Sequence, residues 1–193
     1  MRNIIILSIL LFSTFLSSAT EKIIVIDVGH GGNDDGYAID GFKEKDLVFE
    51  IALKIVALNT AEDVKIILTR EGDYPLSLKS RAEFINTLNP DFVISLHINS
   101  NVDVAASGFD FFVSPENAFS EASNKLAERL KNAIDQEFES NGIRNSNFYI
   151  LKNVSAPITL MEMGYLSNPN DFELLTSEKG QNKIANVIYN LIK

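Results

Sequence analysis

The chain has 193 residues, 46% of them hydrophobic, and its 17 Lys and Arg against 26 Asp and Glu give a formal net charge of −9. That balance argues against nucleic acid or an anionic membrane as a partner, because both are bound by clustered cations that neutralise phosphates. Cysteine is absent, which excludes disulfides and thiolate metal ligands and leaves stability to packing.

The amino terminus reads Met1-Arg2-Asn3, then a largely apolar stretch from Ile4 to Leu16, then Ser17-Ser18-Ala19. These are the three parts of a secretory signal, with cleavage expected after Ala19. The apolar stretch is shorter than the roughly 20 residues a bilayer span needs, and an uncleaved anchor is the alternative. The expected organisation is a signal peptide at 1–19 and one domain over 20–193, exported to the periplasm or cell exterior, monomeric, and off the membrane once the signal is removed. No repeat, low-complexity tract or Pro/Gly-rich linker marks an appended module.

Beyond residue 20, apolar runs of strand length fall at 22–28, 64–69, 91–97, 108–113, 148–151 and 157–162. Between most of them lie stretches of helical period, with helices expected at 43–59, 76–89, 120–140 and 178–192. Gly142 reads as a C-cap for the third. Such alternation predicts an α/β fold, a single domain with a mostly parallel twisted sheet flanked by helices.

The chain's two histidines sit where strand runs give out: His30 in Asp27-Val28-Gly29-His30-Gly31-Gly32, and His97 in Ser95-Leu96-His97-Ile98-Asn99. Open α/β sheets bind ligands at the carboxyl ends of their strands, so the pair points to a shared site. A turn histidine and a satisfied core histidine fit the two local patterns equally well.

The first helix adds a third residue. Leu47, Val48, Ile51, Ile55 and Leu58 form its inward stripe, and one turn back along the same stripe lies Glu44. A carboxylate facing a core is costly unless a cation, a metal or several donors meet it. Asp46, Glu50 and Lys54 fall off the stripe, and Glu50 with Lys54 has the spacing of an exposed pair. Two imidazoles and one glutamate make a known catalytic zinc set, leaving a fourth position for water.

Glu162 ends another apolar strand, in Leu160-Met161-Glu162-Met163-Gly164, and is a candidate general base. A buried ion pair or a hydrogen-bonded strand end fits it too. Arg70 and Asp73 are expected to pair across a turn, and Arg81 to brace the following helix, rather than to bind a phosphate or carboxylate. Asn99, Ser100 and Asn168 have the chemistry to bond a polar substrate or simply to satisfy backbone groups.

Five motifs in order carry a family resemblance: Val25-Ile26-Asp27-Val28-Gly29-His30-Gly31-Gly32, Glu44-Lys45-Asp46, Thr69-Arg70, Ser95-Leu96-His97-Ile98-Asn99 and Glu162-Met163-Gly164-Tyr165-Leu166-Ser167-Asn168. The chain resembles the zinc-dependent N-acetylmuramoyl-L-alanine amidases of the type 3, AmiA/AmiC-like group. The resemblance implies that 20–193 is a zinc amidase catalytic domain, with Zn2+ held by His30, Glu44 and His97 and Glu162 as the catalytic carboxylate. It also implies peptidoglycan as the partner and, as the bond cut, the amide joining N-acetylmuramic acid to the L-alanine of the stem peptide, in cell-wall remodelling or daughter-cell separation. A zinc peptidase cutting within the stem peptide and a non-catalytic wall-binding module are the alternatives. The need for an activator protein is not legible.

Two places depart from the family pattern. Asp34 to Lys43 replaces a more standard small-residue connection before the glutamate, and the stretch from His97 to Gly108 has no room for an occluding helix, so an open groove is expected.

Overall fold

The computed structural model describes residues 21–193, and the expected signal at 1–19 lies outside them. The elements run β1 (Lys22–Val28), β2 (Ala38–Ile39), β3 (Phe42–Lys43), α1 (Glu44–Ala57), β4 (Val64–Leu68), α2 (Leu78–Leu88), β5 (Phe92–Asn99), β6 (Phe109–Val113), α3 (Ser120–Ile134), β7 (Ser140–Asn145), α4 (Tyr149–Asn153), β8 (Ile158–Tyr165), α5 (Pro169–Thr176) and α6 (Glu178–Ile192). Six strands form one sheet in the order β4-β1-β5-β8-β6-β7, parallel throughout except for the antiparallel β6–β8 pair. The α/β fold with a mostly parallel, helix-flanked sheet is as the sequence predicts.

The central strands are covered on both faces, and so their sequences are nearly unbroken apolar runs. On one face Ile24, Ile26, Val28, Ile94, Leu96 and Met161 pack against α1, α3 and α6 through Val48, Ile51, Leu130 and Ile188. On the other face a smaller cluster of Val25, Val93, Ile158 and Leu160 meets Ala82 and Ile85 of α2 and Ile150 and Leu151 of α4. That second cover reaches only part of the way along the strands. The residues beyond it on the same face, at the carboxyl ends of β1, β5 and β8, are polar or small: Asp27, Gly29, Ser95, His97 and Glu162.

Several local expectations differ from the structure. Residues 148–151, read as a strand, begin the short helix α4, because Ile150 and Leu151 bury as one helical face against α2 rather than on alternate sides of a ladder. The third helix stops at Ile134 instead of running to 140; Phe138 still packs inward, stacked on Phe109 at 5.1 Å between ring centroids, but from a turn. Gly142, at φ 110°, lies inside β7 rather than capping a helix. Helix α5 and the two-residue hairpin β2–β3 were not anticipated. Among the described residues, no helix is long and apolar enough to cross a membrane.

Candidate metal centre

His30 sits just past β1 with φ at 58°, a left-handed conformation that side chains other than glycine adopt at a cost. Two buried arginines hold the main chain there. Arg81 donates to the carbonyls of Val28 (2.6 Å) and His30 (2.9 Å), and Arg70 donates to those of Val28 (3.2 Å) and Gly29 (3.1 Å). The ring that results has its Nδ1 2.8 Å from Asp34 Oδ2 and its Nε2 2.9 Å from Glu44 Oε1.

Glu44 is the first residue of α1 and is 4% exposed. Its Oε1 also lies 3.1 Å from His97 Nδ1 and accepts the Ile98 amide at 3.0 Å, while Oε2 accepts the Tyr37 amide at 3.0 Å. Gly36 permits this closeness, since a Cβ built there would collide with the Glu44 carboxylate. Burial works against the charge of Glu44, but hydrogen bonds from His30 and His97 outweigh it and hold the carboxyl well below the usual range.

His97 lies on β5, with its Nδ1 3.2 Å from His30 Nε2 and the two rings edge to face at 4.9 Å between centroids. A Cβ at Gly29, on the neighbouring strand's end, would stand 2.6 Å from His97 Cε1. The glycine before His30 thus makes room for the other histidine's ring.

The three sequence-predicted ligands therefore meet, with one donor atom from each all within 4.8 Å of one another. The donor chemistry fits a divalent cation. With Asp34 accepting a hydrogen bond from the Nδ1–H of His30, the Nε2 lone pair faces the Glu44 carboxylate at 2.9 Å, an arrangement of electron pairs that is repulsive unless a positive charge lies between them. Two nitrogens and one oxygen suit zinc among the common metals. Burial lowers the pKa of His30, but Glu44 and Asp34 outweigh it and raise it to about 9, the same demand for a cation met by a proton.

Glu162 is the register neighbour of His97 across the β5–β8 ladder, with Asp110 of β6 on its other side. Its Oε2 is buried and has no hydrogen-bond partner among the described residues. Burial, aided by the Glu44 and Asp110 charges and opposed by His97 and His30, raises its pKa to about 7. A carboxyl poised there can take up and release a proton near neutral pH. The four residues line one cavity of about 370 Å³, whose walls include Tyr37, Leu78, Phe148 and Tyr149. No helix lies between β5 and β6 among the described residues, and His30 and His97 each keep about a fifth of the side chain exposed.

Other sequence candidates fall outside this chemistry. Arg70 does not pair with Asp73, which instead accepts from Lys45 (3.0 Å) and the Gly32 amide (2.6 Å). Arg81 does not brace only its own helix; it forms a buried ion pair with Asp27 at 2.9 Å. Glu50 accepts from Gln181 at 2.7 Å rather than from Lys54. Asn168 caps α5, accepting the amides of Asn170 and Asp171, and donates to the Val104 carbonyl. Asn99 and Ser100 do line the cavity. Asp34 escaped sequence reading, although its place four residues after His30 was a usable signal.

A family model described as N-acetylmuramoyl-L-alanine amidase matches residues 24–193. The N-acetylmuramoyl-L-alanine amidase CwlM of Bacillus licheniformis is 31% identical over 166 residues, covering 84% of this chain and 64% of its own. The chain thus spans a little under two thirds of that relative's length. Among solved structures, the amidase AmiC2 of Nostoc punctiforme superposes with a TM-score of 0.82 at 30% identity, covering 90% of this chain and 96% of that one. The CwlD amidase of Clostridioides difficile, solved in complex with the GerS lipoprotein, superposes with a TM-score of 0.74 at 31% identity, covering 89% and 96%.

Proposed function

Since the chain belongs to the N-acetylmuramoyl-L-alanine amidase family, we propose that it is a zinc-dependent peptidoglycan hydrolase that cuts the amide between the lactyl group of N-acetylmuramic acid and the L-alanine of the stem peptide. The convergence of His30, Glu44 and His97 beside the unpartnered carboxyl of Glu162 carries this reading.

His30 through Nε2, His97 through Nδ1 and Glu44 through its carboxylate would hold the metal. Asp34 fixes the tautomer of His30, as carboxylates behind ligating histidines commonly do. When bound, zinc supplies Lewis acidity that polarises a carbonyl and makes water acidic. The Glu162 carboxylate accepts the proton of the water that attacks the lactyl carbonyl and returns it to the departing L-alanine nitrogen, which leaves as the peptide's free amine. The Phe148, Tyr149 and Leu78 side of the cavity offers apolar surface to the sugar or peptide, and Asn99 and Ser100 offer polar groups.

The proposed setting is the cell wall. Met1 to Ala19 would direct export, 20–193 would act as a monomeric catalytic domain, and remodelling or daughter-cell separation is the role. The similarity to CwlD, solved with a lipoprotein, supports a protein partner for this chain as well.

The test is release of stem peptides from purified peptidoglycan by the chain before and after treatment with a chelator. Loss on chelation and recovery on adding zinc is the expected result, and undiminished release in chelator contradicts the metal.

A further inference from the structure

Arg70 is 1% exposed, yet all four of its hydrogen bonds go to main-chain carbonyls: Val28 from Nε, Gly72 from Nη1, and Gly29 and Lys45 both from Nη2. Arg81, the neighbouring buried arginine, has the Asp27 carboxylate at 2.9 Å. A buried cation without a contacting anion is costly and adds little to stability. Its position shows what it does accomplish. Gly29 immediately precedes His30, and Lys45 immediately follows Glu44.

We infer that Arg70 is a positioning residue that sets the distance between His30 and Glu44, and with it the affinity of the site for its metal. The inference rests on the metal assignment above. One nitrogen, Nη2, reaches Gly29 O at 3.1 Å and Lys45 O at 2.6 Å, and because the guanidinium is planar and rigid, its two hydrogens fix both carbonyls at once. The group is held in turn by the Phe49 ring of α1, 5.1 Å from its centre, and by the His30 loop, since a Cβ at Gly31 would stand 3.2 Å from Arg70 Cδ. The strand-to-helix packing of β1 on α1 does not depend on it, because Val28, Leu47, Val48 and Ile51 already bury that contact. Other bonds also tie the first turn of α1 to the chain leaving β1, among them Lys45 Nζ to the Gly32 carbonyl at 2.7 Å and the Lys45 amide to the Asp35 carbonyl at 3.2 Å. They engage residues beyond His30, whereas Arg70 joins the carbonyls of the two residues directly flanking His30 and Glu44.

Lysine at this position would keep the charge but lose the fork, and methionine would keep the length and remove both charge and fork. Arg70→Lys and Arg70→Met are therefore compared with the parent for zinc affinity by calorimetry and for unfolding of the chelator-treated protein in denaturant. Both variants should unfold cooperatively while the zinc dissociation constant rises by about 10- to 100-fold, the usual cost of losing support behind a metal ligand, with lysine failing to rescue it. The Co2+-substituted variants should also show altered visible absorption, because the ligand spacing has changed. Variants that fold and bind zinc as the parent does overturn the inference. Failure of both to fold also overturns it, since Arg70 would then support the core and not the spacing. A parent chain that binds no zinc overturns the metal assignment itself, a result distinguishable from either.

Discussion

Glu162 and His97 are register neighbours on adjacent parallel strands, and just beyond them the ladder shifts, with Asn99 pairing to Tyr165 after the left-handed Gly164 at φ 107°. Bulges of this kind re-aim side chains next to active sites. The result is a carboxyl beside a candidate metal ligand with its buried oxygen Oε2 free of any hydrogen bond among the described residues.

Glu162→Gln should leave zinc stoichiometry unchanged and lower turnover by about 10²- to 10⁴-fold, the range for loss of a general base. Turnover on purified peptidoglycan and metal content by atomic absorption check this together. A variant that turns over at the parent rate removes Glu162 from the mechanism.

The pH dependence of chelator-treated protein should report His30. Its pKa in the fold is raised from 6.5 to about 9, so the native state holds the proton more tightly than the unfolded chain. Its stabilising contribution is complete below pH 6.5 and is lost as pH rises through about 9. Glu162, raised to about 7, adds a loss of the same sign between 4.5 and 7. Denaturant unfolding from pH 6.5 to 9 should show a steeper decline in the parent than in His30→Gln; equal slopes contradict the assignment.

Gly29→Ala should damage the site through His97. The added methyl would meet His97 Cε1 at 2.6 Å and the Leu96 carbonyl at 2.7 Å, both closer than contact allows. Overpacking of this kind costs about 1–3 kcal/mol, and the ring must rotate away from Glu44, so zinc affinity should fall together with stability. Unchanged affinity by calorimetry would show that the ring has room the structure denies it.

Asn168→Ala separates a cap from a substrate contact. Losing the bonds to the Asn170 and Asp171 amides should cost about 1 kcal/mol of stability by chemical denaturation. Turnover at saturating substrate should be unaffected. A large loss of turnover without loss of stability would return Asn168 to the substrate site.

The candidate site was legible because its parts obey short-range rules. The ends of apolar runs located His30, His97 and Glu162, and helical phase singled out Glu44 from Asp46 and Glu50, which the structure leaves off the buried stripe. The support behind them was not legible. Arg70 acts on carbonyls 25, 41 and 42 residues away, and nothing local to Thr69-Arg70 announces such partners. Asp34 comes back to His30 through a tight turn in which its backbone pairs with Gly31 after a histidine of positive φ, a geometry the flanking glycines hint at but do not specify. Among the elements, Tyr149 to Leu151 has strand-forming composition and became helix because α2 offers a partner for one helical face. Helix α5 carries a start signal of its own, with Asn168 as cap and Pro169 at its first position, but Asn168 alone has equally the chemistry of a substrate contact, and only the bonds to the Asn170 and Asp171 amides separate the two.

The most direct test of the central claim is mass spectrometry of purified peptidoglycan digested by the zinc-loaded chain. The account predicts free glycan and intact stem peptides that begin with the L-alanine amine. Peptides that begin at any later residue, with L-alanine still attached to the glycan, would contradict it.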